Sequence, residues 1–381
     1  MSNKLNTYLL LILYILLPGC NSRPEDVIFE DKLTLELKER IIFPLNTTTK
    51  RFGSKVGYDK KSNSIYVFDD YKYELHFFSL ANGTKLKTIK LFKEGPTGIG
   101  QVSRLTTDGI DSIITFSRLT NKLHVITNNG QVVRSQLLLS YDDSDPSIQT
   151  FSNSFNYNEL TNSIYIPVRN NNFTTKNNNK PLLEYNLRTK EKRLLMKWED
   201  DFKEYLGKNE TIFGTLNKHE NKYVSSVPFD SHISVIDLKT NEIKKYYAGS
   251  NNAEAPPKFK GSFTDFNNYK YQVGNNWFRN ILYDEYQKIY LRTITFGLKI
   301  TENSVEANMQ QPRKSKNKSN DNTFTGVILL DSSFQKIGEV KDIMLNDEAF
   351  ATVDGIYLKD NLYEKNNEDI LVFKKYLYVK K

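Results

Sequence analysis

From residue 54 onward, short apolar strands alternate with polar turns, and one pairing of the two recurs six times. Each copy opens on a turn residue and runs into consecutive apolar positions. The first three are Asn63-Ser64-Ile65-Tyr66, Asp111-Ser112-Ile113-Ile114 and Asn162-Ser163-Ile164-Tyr165. The others are Asn221-Lys222-Tyr223-Val224, Gln287-Lys288-Ile289-Tyr290 and Asp354-Gly355-Ile356-Tyr357. Their third positions lie 48 to 67 residues apart. A second apolar strand follows each mark, as in Leu75–Phe78 before Ala81-Asn82-Gly83 and Ile233–Asp237 before Thr240-Asn241. Asn-Gly at such a place predicts a hairpin of type I′, in which both central residues take positive φ. A third strand completes most copies (Leu86–Leu91, Gln131–Leu139, Arg193–Trp198, Ile243–Tyr247 and Lys336–Val340), and another precedes each mark.

Four antiparallel strands per unit, repeated about every 50 residues, predict an all-β chain folded as a six-bladed β-propeller of four-stranded blades. A β-sandwich or an open solenoid is the alternative, and six copies of one unit weigh against both. The sixth copy lacks a clear fourth strand. Leu33, Leu35 and Leu37 alternate with Thr34, Glu36 and Lys38, the period of a half-buried strand, and this Leu33–Ile42 segment has no blade of its own. Pairing it into the last blade closes the ring and removes two exposed sheet edges. Residues 33–381 then form a single propeller domain.

If the strands of each blade run A to D outward from the axis, A–B and C–D turns share one face and D–A and B–C connections the other. The long connections are Phe92–Gln101, Tyr141–Thr150, Glu199–Glu210 and Ala248–Asn275 (D–A), with Asn170–Lys180 and Lys299–Asn322 (B–C). All six project from one face, the expected place for a ligand, since loops on a rigid scaffold carry recognition. Arg118 and Arg169 lie five residues beyond their marks and Arg292 three beyond its own, where B strands reach that face; Arg104 and Arg279 lie where A strands leave it. Several guanidiniums near one pore mouth suit a carboxylate, sulfate or phosphate. The plainer reading pairs them with Asp70, Asp142, Asp143 or Asp145. Trp277, with Tyr271 and Phe278, stands beside Arg279 and offers a surface for a sugar or peptide, although propeller aromatics more often belong to the core.

The amino terminus adds an address. One positive charge at Lys4 precedes an apolar run, Tyr8–Leu17, which is too short to cross a membrane and suits a secretory signal. Leu17-Pro18-Gly19-Cys20 resembles a bacterial lipoprotein signal: residues 1–19 are expected to be removed, Cys20 lipidated, and residues 20–32 to act as a tether. Pro18 departs from the usual pattern, and an ordinary secretory signal or an uncleaved anchor is the alternative. The expected place is the cell envelope, lipid-anchored, in a periplasmic or surface-exposed leaflet, with the membrane as the first partner.

Composition narrows the chemistry. Cys20 is the sole cysteine, so the folded part has no disulfide or thiolate chemistry. The four histidines lack metal-ligand spacing, and His76 and His124 hold the same place in two C strands. Tyr141-Asp142-Asp143-Ser144-Asp145 lacks the glycine and terminal glutamate of a calcium loop. No nucleophile elbow or phosphate-binding glycine loop occurs. No catalytic residue, metal or cofactor is therefore expected. The net charge of +8 is compatible with an acidic partner, while the run Arg313–Lys318 lacks the interleaved aromatics of a nucleic-acid site.

One connection is more specific. Glu94-Gly95-Pro96-Thr97-Gly98-Ile99-Gly100 joins the first unit to the second, its glycines and proline fixing a tight, non-helical path. With the lipoprotein signal and the six units, this loop resembles a family of Bacteroidota lipoproteins with six-bladed propeller domains of unknown function. The resemblance implies a fold and a compartment and no activity; Glu94 and Pro96 join the candidate ligand face because this loop runs onto the elaborated face. The reading that follows is a tethered propeller that binds a ligand or protein partner, an anionic one among the candidates, through its long loops. A pore-mouth lyase or hydrolase, or a structural subunit of an envelope complex, is the alternative.

Overall fold

The computed structural model describes residues 31–45, 55–117, 119–138, 148–149, 155–170, 182–196, 212–259, 265–298, 325–360 and 370–381. After β1 (Leu33–Pro44) the first blade is β2 (Lys55–Asp59), β3 (Ser64–Asp69), β4 (Glu74–Ser79) and β5 (Lys85–Lys90). The second is β6 (Arg104–Thr107), β7 (Ser112–Ser117), β8 (Lys122–Thr127) and β9 (Val132–Leu137). A short β10 (Ile148–Gln149) precedes the third blade, whose strands are β11 (Asn156–Asn158), β12 (Ser163–Pro167), β14 (Leu182–Asn186) and β15 (Lys192–Leu195). Between its middle strands lies β13 (Arg169–Asn170), which pairs with β10. The fourth blade is β16 (Phe213–Asn217), β17 (Lys222–Ser226), β18 (His232–Asp237) and β19 (Ile243–Tyr247). Helix α1 (Asp265–Gly274) leads into the fifth: β20 (Trp277–Asp284), β21 (Ile289–Thr295), β22 (Thr325–Leu330) and β23 (Lys336–Lys341). In the sixth, β24 (Phe350–Thr352), β25 (Gly355–Lys359) and β26 (Ile370–Lys380) receive β1 as their outermost strand, so the two ends of the chain close the ring as expected.

Every blade is antiparallel, and the inner strands β2, β6, β11, β16, β20 and β24 pack in sequence around the axis. The recurring apolar mark has a packing cause. Each B strand is covered on both faces, so adjacent residues enter different cores: Ile65 and Val67 face the sixth blade, Tyr66 and Phe68 the second. Ile113 and Ile114 divide in the same way between the first and third blades. A strand buried on both faces reads as a continuous apolar run rather than an alternation. Six core clusters result, one for each pair of neighbouring blades.

Buried Asx turns set the strand ends. Asp59, Asn158, Asn217 and Asp284 close the A strands of four blades, and each accepts a hydrogen bond from a backbone N–H two or three residues on. The residue just before the B strand then takes positive φ at Asn63, Asn162, Asn221 and Lys288. The C–D hairpins depart from the type I′ expectation. At Asn82-Gly83 only the glycine is left-handed (φ 70°), and its N–H returns to Ser79 across a four-residue loop. Asn82 keeps negative φ because its side chain caps the N–H of Thr84.

His76 and His124 are buried in the C strands, as their repeated placement implies, and burial lowers both imidazoles below the ordinary 6.5. The closing seam holds more buried aromatic rings than any other of the six. Phe43 of β1 is wholly buried and meets Phe78 and Phe373 edge-on at 6.4 and 6.1 Å, while Phe350 stacks on Tyr58 and Tyr357. A bulge at Lys38 shifts the register of β1 against β26, and Leu37 beside it is left 45% exposed. Phe43→Ala is therefore expected to cost about 3–5 kcal/mol in urea unfolding, and Leu37→Ala less than about 0.5 kcal/mol; equal effects would mean that β1 does not hold the ring.

Candidate functional site

Two contacts join D–A to B–C connections and place those connections on one face. Strand β10, from the connection between the second and third blades, pairs with β13 in the B–C connection of the third. Leu298, following the B strand of the fifth blade, donates its N–H to Val273 at the end of α1 in the D–A connection (2.9 Å).

The inner strands start on this face, and three of them open on cations. Lys55 begins β2, Arg104 begins β6, and Arg279 is the third residue of β20. The first two are half-buried. Burial pulls the Lys55 ammonium below its ordinary pKa; Asp70, at 3.9 Å, opposes that pull and Arg104 adds to it, so Lys55 and Arg104 share one field. Arg279 is set by a β-bulge: Phe278 pairs with Ile294 and Ile281 with Arg292, leaving Arg279 and Asn280 opposite one residue. Bulges re-aim side chains in this way. Asn280 is tied to the carbonyl of Leu345 and to Asp347, whereas Arg279 has no ion pair or hydrogen bond among the described residues. Its side chain is exposed, and the protein around it lowers the guanidinium's pKa below its ordinary value.

The opposite end of the axis is bridged. Lys60, in the A–B turn of the first blade, reaches Glu285 in that of the fifth at 2.7 Å, and His219 of the fourth meets the same carboxylate at 3.3 Å. Lys61–Asp108 and Lys218–Glu159 join further A–B turns. Such exposed pairs contribute at most about 1 kcal/mol each, but they occupy the axis with mutually neutralised charge. Among the described residues, Arg279 at the other end has no such partner.

The chain matches the model of a domain of unknown function, DUF4221, over residues 26–341. It belongs to that family. A crystal structure of a DUF4221 member from Bacteroides vulgatus aligns with TM-score 0.72 at 18% identity, covering 92% of this chain and 99% of the other. A Bacteroides fragilis protein described as exported aligns with TM-score 0.53 at 13% identity, covering 93% and 98%. No curated protein matches the sequence. No described helix of this DUF4221 chain is long and apolar enough to cross a membrane.

The remaining sequence candidates divide. Arg292 is a correction: it is wholly buried in the middle of β21 rather than at the ligand face. The turn begun by Asp284 places positive φ at Lys288, so Tyr290, not Ile289, is the counterpart of Ile65, and Arg292 falls three residues before the end of β21 at Thr295. Its guanidinium donates to Ser226 Oγ and to the carbonyls of Val227, Asp230, Ser231, His232 and Ala248, and it stacks on Phe278 at 4.0 Å. Burial draws its pKa down to about 9 against the opposing field of Asp230. Phe278 is core, and Trp277 is a post beneath α1, donating its indole N–H to Gln272 at 2.6 Å. Glu94 and Pro96 stand exposed at the tip of a loop closed by Ile99 N–H to Phe92 and Gly100 N–H to Lys93; at Gly98 a Cβ would strike the Glu94 backbone at 2.7 Å. Arg169 lies in the β10–β13 ladder. Arg118, Cys20 and the Asp142–Asp145 loop lie outside the described residues.

Lys55 escaped the sequence reading, which took Arg104 and Arg279 at A-strand starts but considered only arginines; its position at the start of an A strand, matching Arg104, was the available signal. Arg292→Met should strand six acceptors and destabilise the protein by about 3 kcal/mol or more in urea unfolding. Hydrogen exchange should accelerate first at residues 227–232 and 248–252, and a change below about 0.5 kcal/mol would show that the clamp is not structural.

Proposed function

We propose that this DUF4221 protein is a lipid-anchored binding module of the cell envelope that captures an anionic ligand at the axial mouth of its elaborated face. The observation that carries this is Arg279, aimed by a bulge in the innermost strand, without a partner among the described residues, and sharing the mouth with the starts of β2 and β6 at Lys55 and Arg104. A partly desolvated guanidinium binds carboxylate, sulfate or phosphate more strongly than one in open water, because the lower local dielectric strengthens the charge–charge term. The bridged far end favours entry from this face.

The envelope address is supported by the Tyr8–Leu17 run before Cys20 and by the exported Bacteroides fragilis relative. The tether of residues 20–32 leaves the orientation of the propeller to its loops. Pore-mouth chemistry draws no specific support. The described histidines lie elsewhere: His76 and His124 within C strands, His232 bonded to Asp230 at the start of β18, and His219 at the opposite end.

Citrate, sulfate and inorganic phosphate, each titrated into the purified mature chain, form the test. At a concentration about 100 times its Kd, a bound anion adds roughly 2.7 kcal/mol of stability, so at least one should raise Tm in proportion to the logarithm of its concentration. Arg279→Glu is expected to erase that rise while leaving Tm without anion within about 2 °C of the parent. An equal rise in the variant, or none in the parent, would refute the assignment.

A further inference from the structure

A concavity on the same face has none of Lys55, Arg104 and Arg279 in its walls. It measures about 740 Å³, within the ~300–1,000 Å³ typical of small-molecule sites. Its walls come from the D–A connection before the fifth blade and from Gly297-Leu298 after β21. Phe259 and Tyr271 contribute rings, Lys258 and Lys270 ammoniums, and Asn267 and Asn275 amides.

The pocket is built rather than incidental. The connection that carries it is anchored at its start by Glu339, which lies within β23 and accepts from Ser250 Oγ, Asn251 N–H and Asn252 Nδ2 while paired with buried Lys336. Burial works to raise that carboxyl's pKa, but hydrogen bonds from Lys336, Ser250 and Asn252 outweigh it and hold the group below its ordinary value. At the far wall Gly297 lies against Gly274, where a Cβ would stand 2.4 Å from the Gly274 carbonyl oxygen, and Gly297 N–H donates to Asn276. Tyr271 is fixed in the pocket wall by its hydroxyl, which donates to Pro257 O at 2.7 Å, and by edge contacts with Phe259 and Trp277.

The chemistry of the walls selects a ligand class. Rings held at fixed angles suit the C–H faces of a sugar, and side-chain amides suit its hydroxyls. The wall runs along α1 from Asn267 to Gly274, and its charged side chains are Lys258 and Lys270. Those two ammoniums suit a carboxylate carried on a ring that the aromatic walls accept. We propose that this pocket binds an acidic saccharide, its ring against Tyr271 and Phe259 and its carboxylate at Lys258 and Lys270. The assignment stands independently of the axial mouth.

Trigalacturonate, maltotriose and inorganic phosphate serve as probes in calorimetric titrations of the full mature chain. Trigalacturonate should bind at least tenfold more tightly than maltotriose, and Trp277, edge-on to Tyr271 at 5.4 Å, should report binding by fluorescence. Lys270→Glu, on the exposed side of α1, should bring the two saccharides to within about twofold of each other, a loss of roughly 1 kcal/mol or more for the acidic one. Tyr271→Ala should weaken both at least tenfold. If that variant disturbs the fold, Asn267→Ala provides the same test from the exposed helix surface, with an expected weakening of threefold or more. Arg279→Glu should leave all these affinities unchanged, which separates failure here from failure at the mouth. Absence of saccharide binding up to about 10 mM, a preference for phosphate, or an acidic preference that survives Lys270→Glu would overturn the proposal.

Discussion

Everything in the ring depends on one seam, where β1 enters the sixth blade and sets Phe43 between Phe78 of the first blade and Phe373 of the last. A propeller blade cannot bury both faces of its B strand alone. Each needs a neighbour on either side, and only closure supplies a neighbour for the first and the last. The six clusters between blades are thus mutually conditional, and the aromatic density of the closing one is where the chain's two ends are committed to each other.

Closure fixes the inner strands, and the inner strands fix the mouth. Six A strands start on one face, so whatever residue begins a strand is delivered to the axis without further design. Lys55 and Arg104 arrive that way, and the bulge in β20 adds Arg279. Arg292 acts from within the core. By holding the B–C turn of the fourth blade and the carbonyl of Ala248, it secures the point from which the longest described excursion departs. Glu339 secures the next residues of the same excursion. Two buried charged groups therefore support a surface feature, which suits a loop whose shape matters.

The repeat was legible in the sequence because doubly covered strands leave adjacent apolar pairs, such as Ile65-Tyr66 and Ile164-Tyr165, at regular distances. The elaborated face followed from connection lengths alone. Helix α1 was not legible: Asp265–Gly274 has no apolar stripe and two asparagines, and it is held by tertiary contacts at Trp277 and Leu298 rather than by propensity. The misplacement of Arg292 came from reading a position three residues beyond the mark as a strand end, whereas β21 runs on to Thr295 and is buried up to Ile294. Tyr271 was readable in the sequence as a surface for a sugar or peptide beside Trp277, but the pocket it lines was not, because its walls come from separate segments of the chain.

Hydrogen exchange on the mature chain, with and without an extract of its own cell envelope, tests most directly whether the elaborated face is the binding face. Binding there should slow amides at the starts of β2, β6 and β20 or along residues 248–276, and leave the A–B turns at Lys60, His219 and Glu285 unchanged. Protection confined to those turns would contradict it.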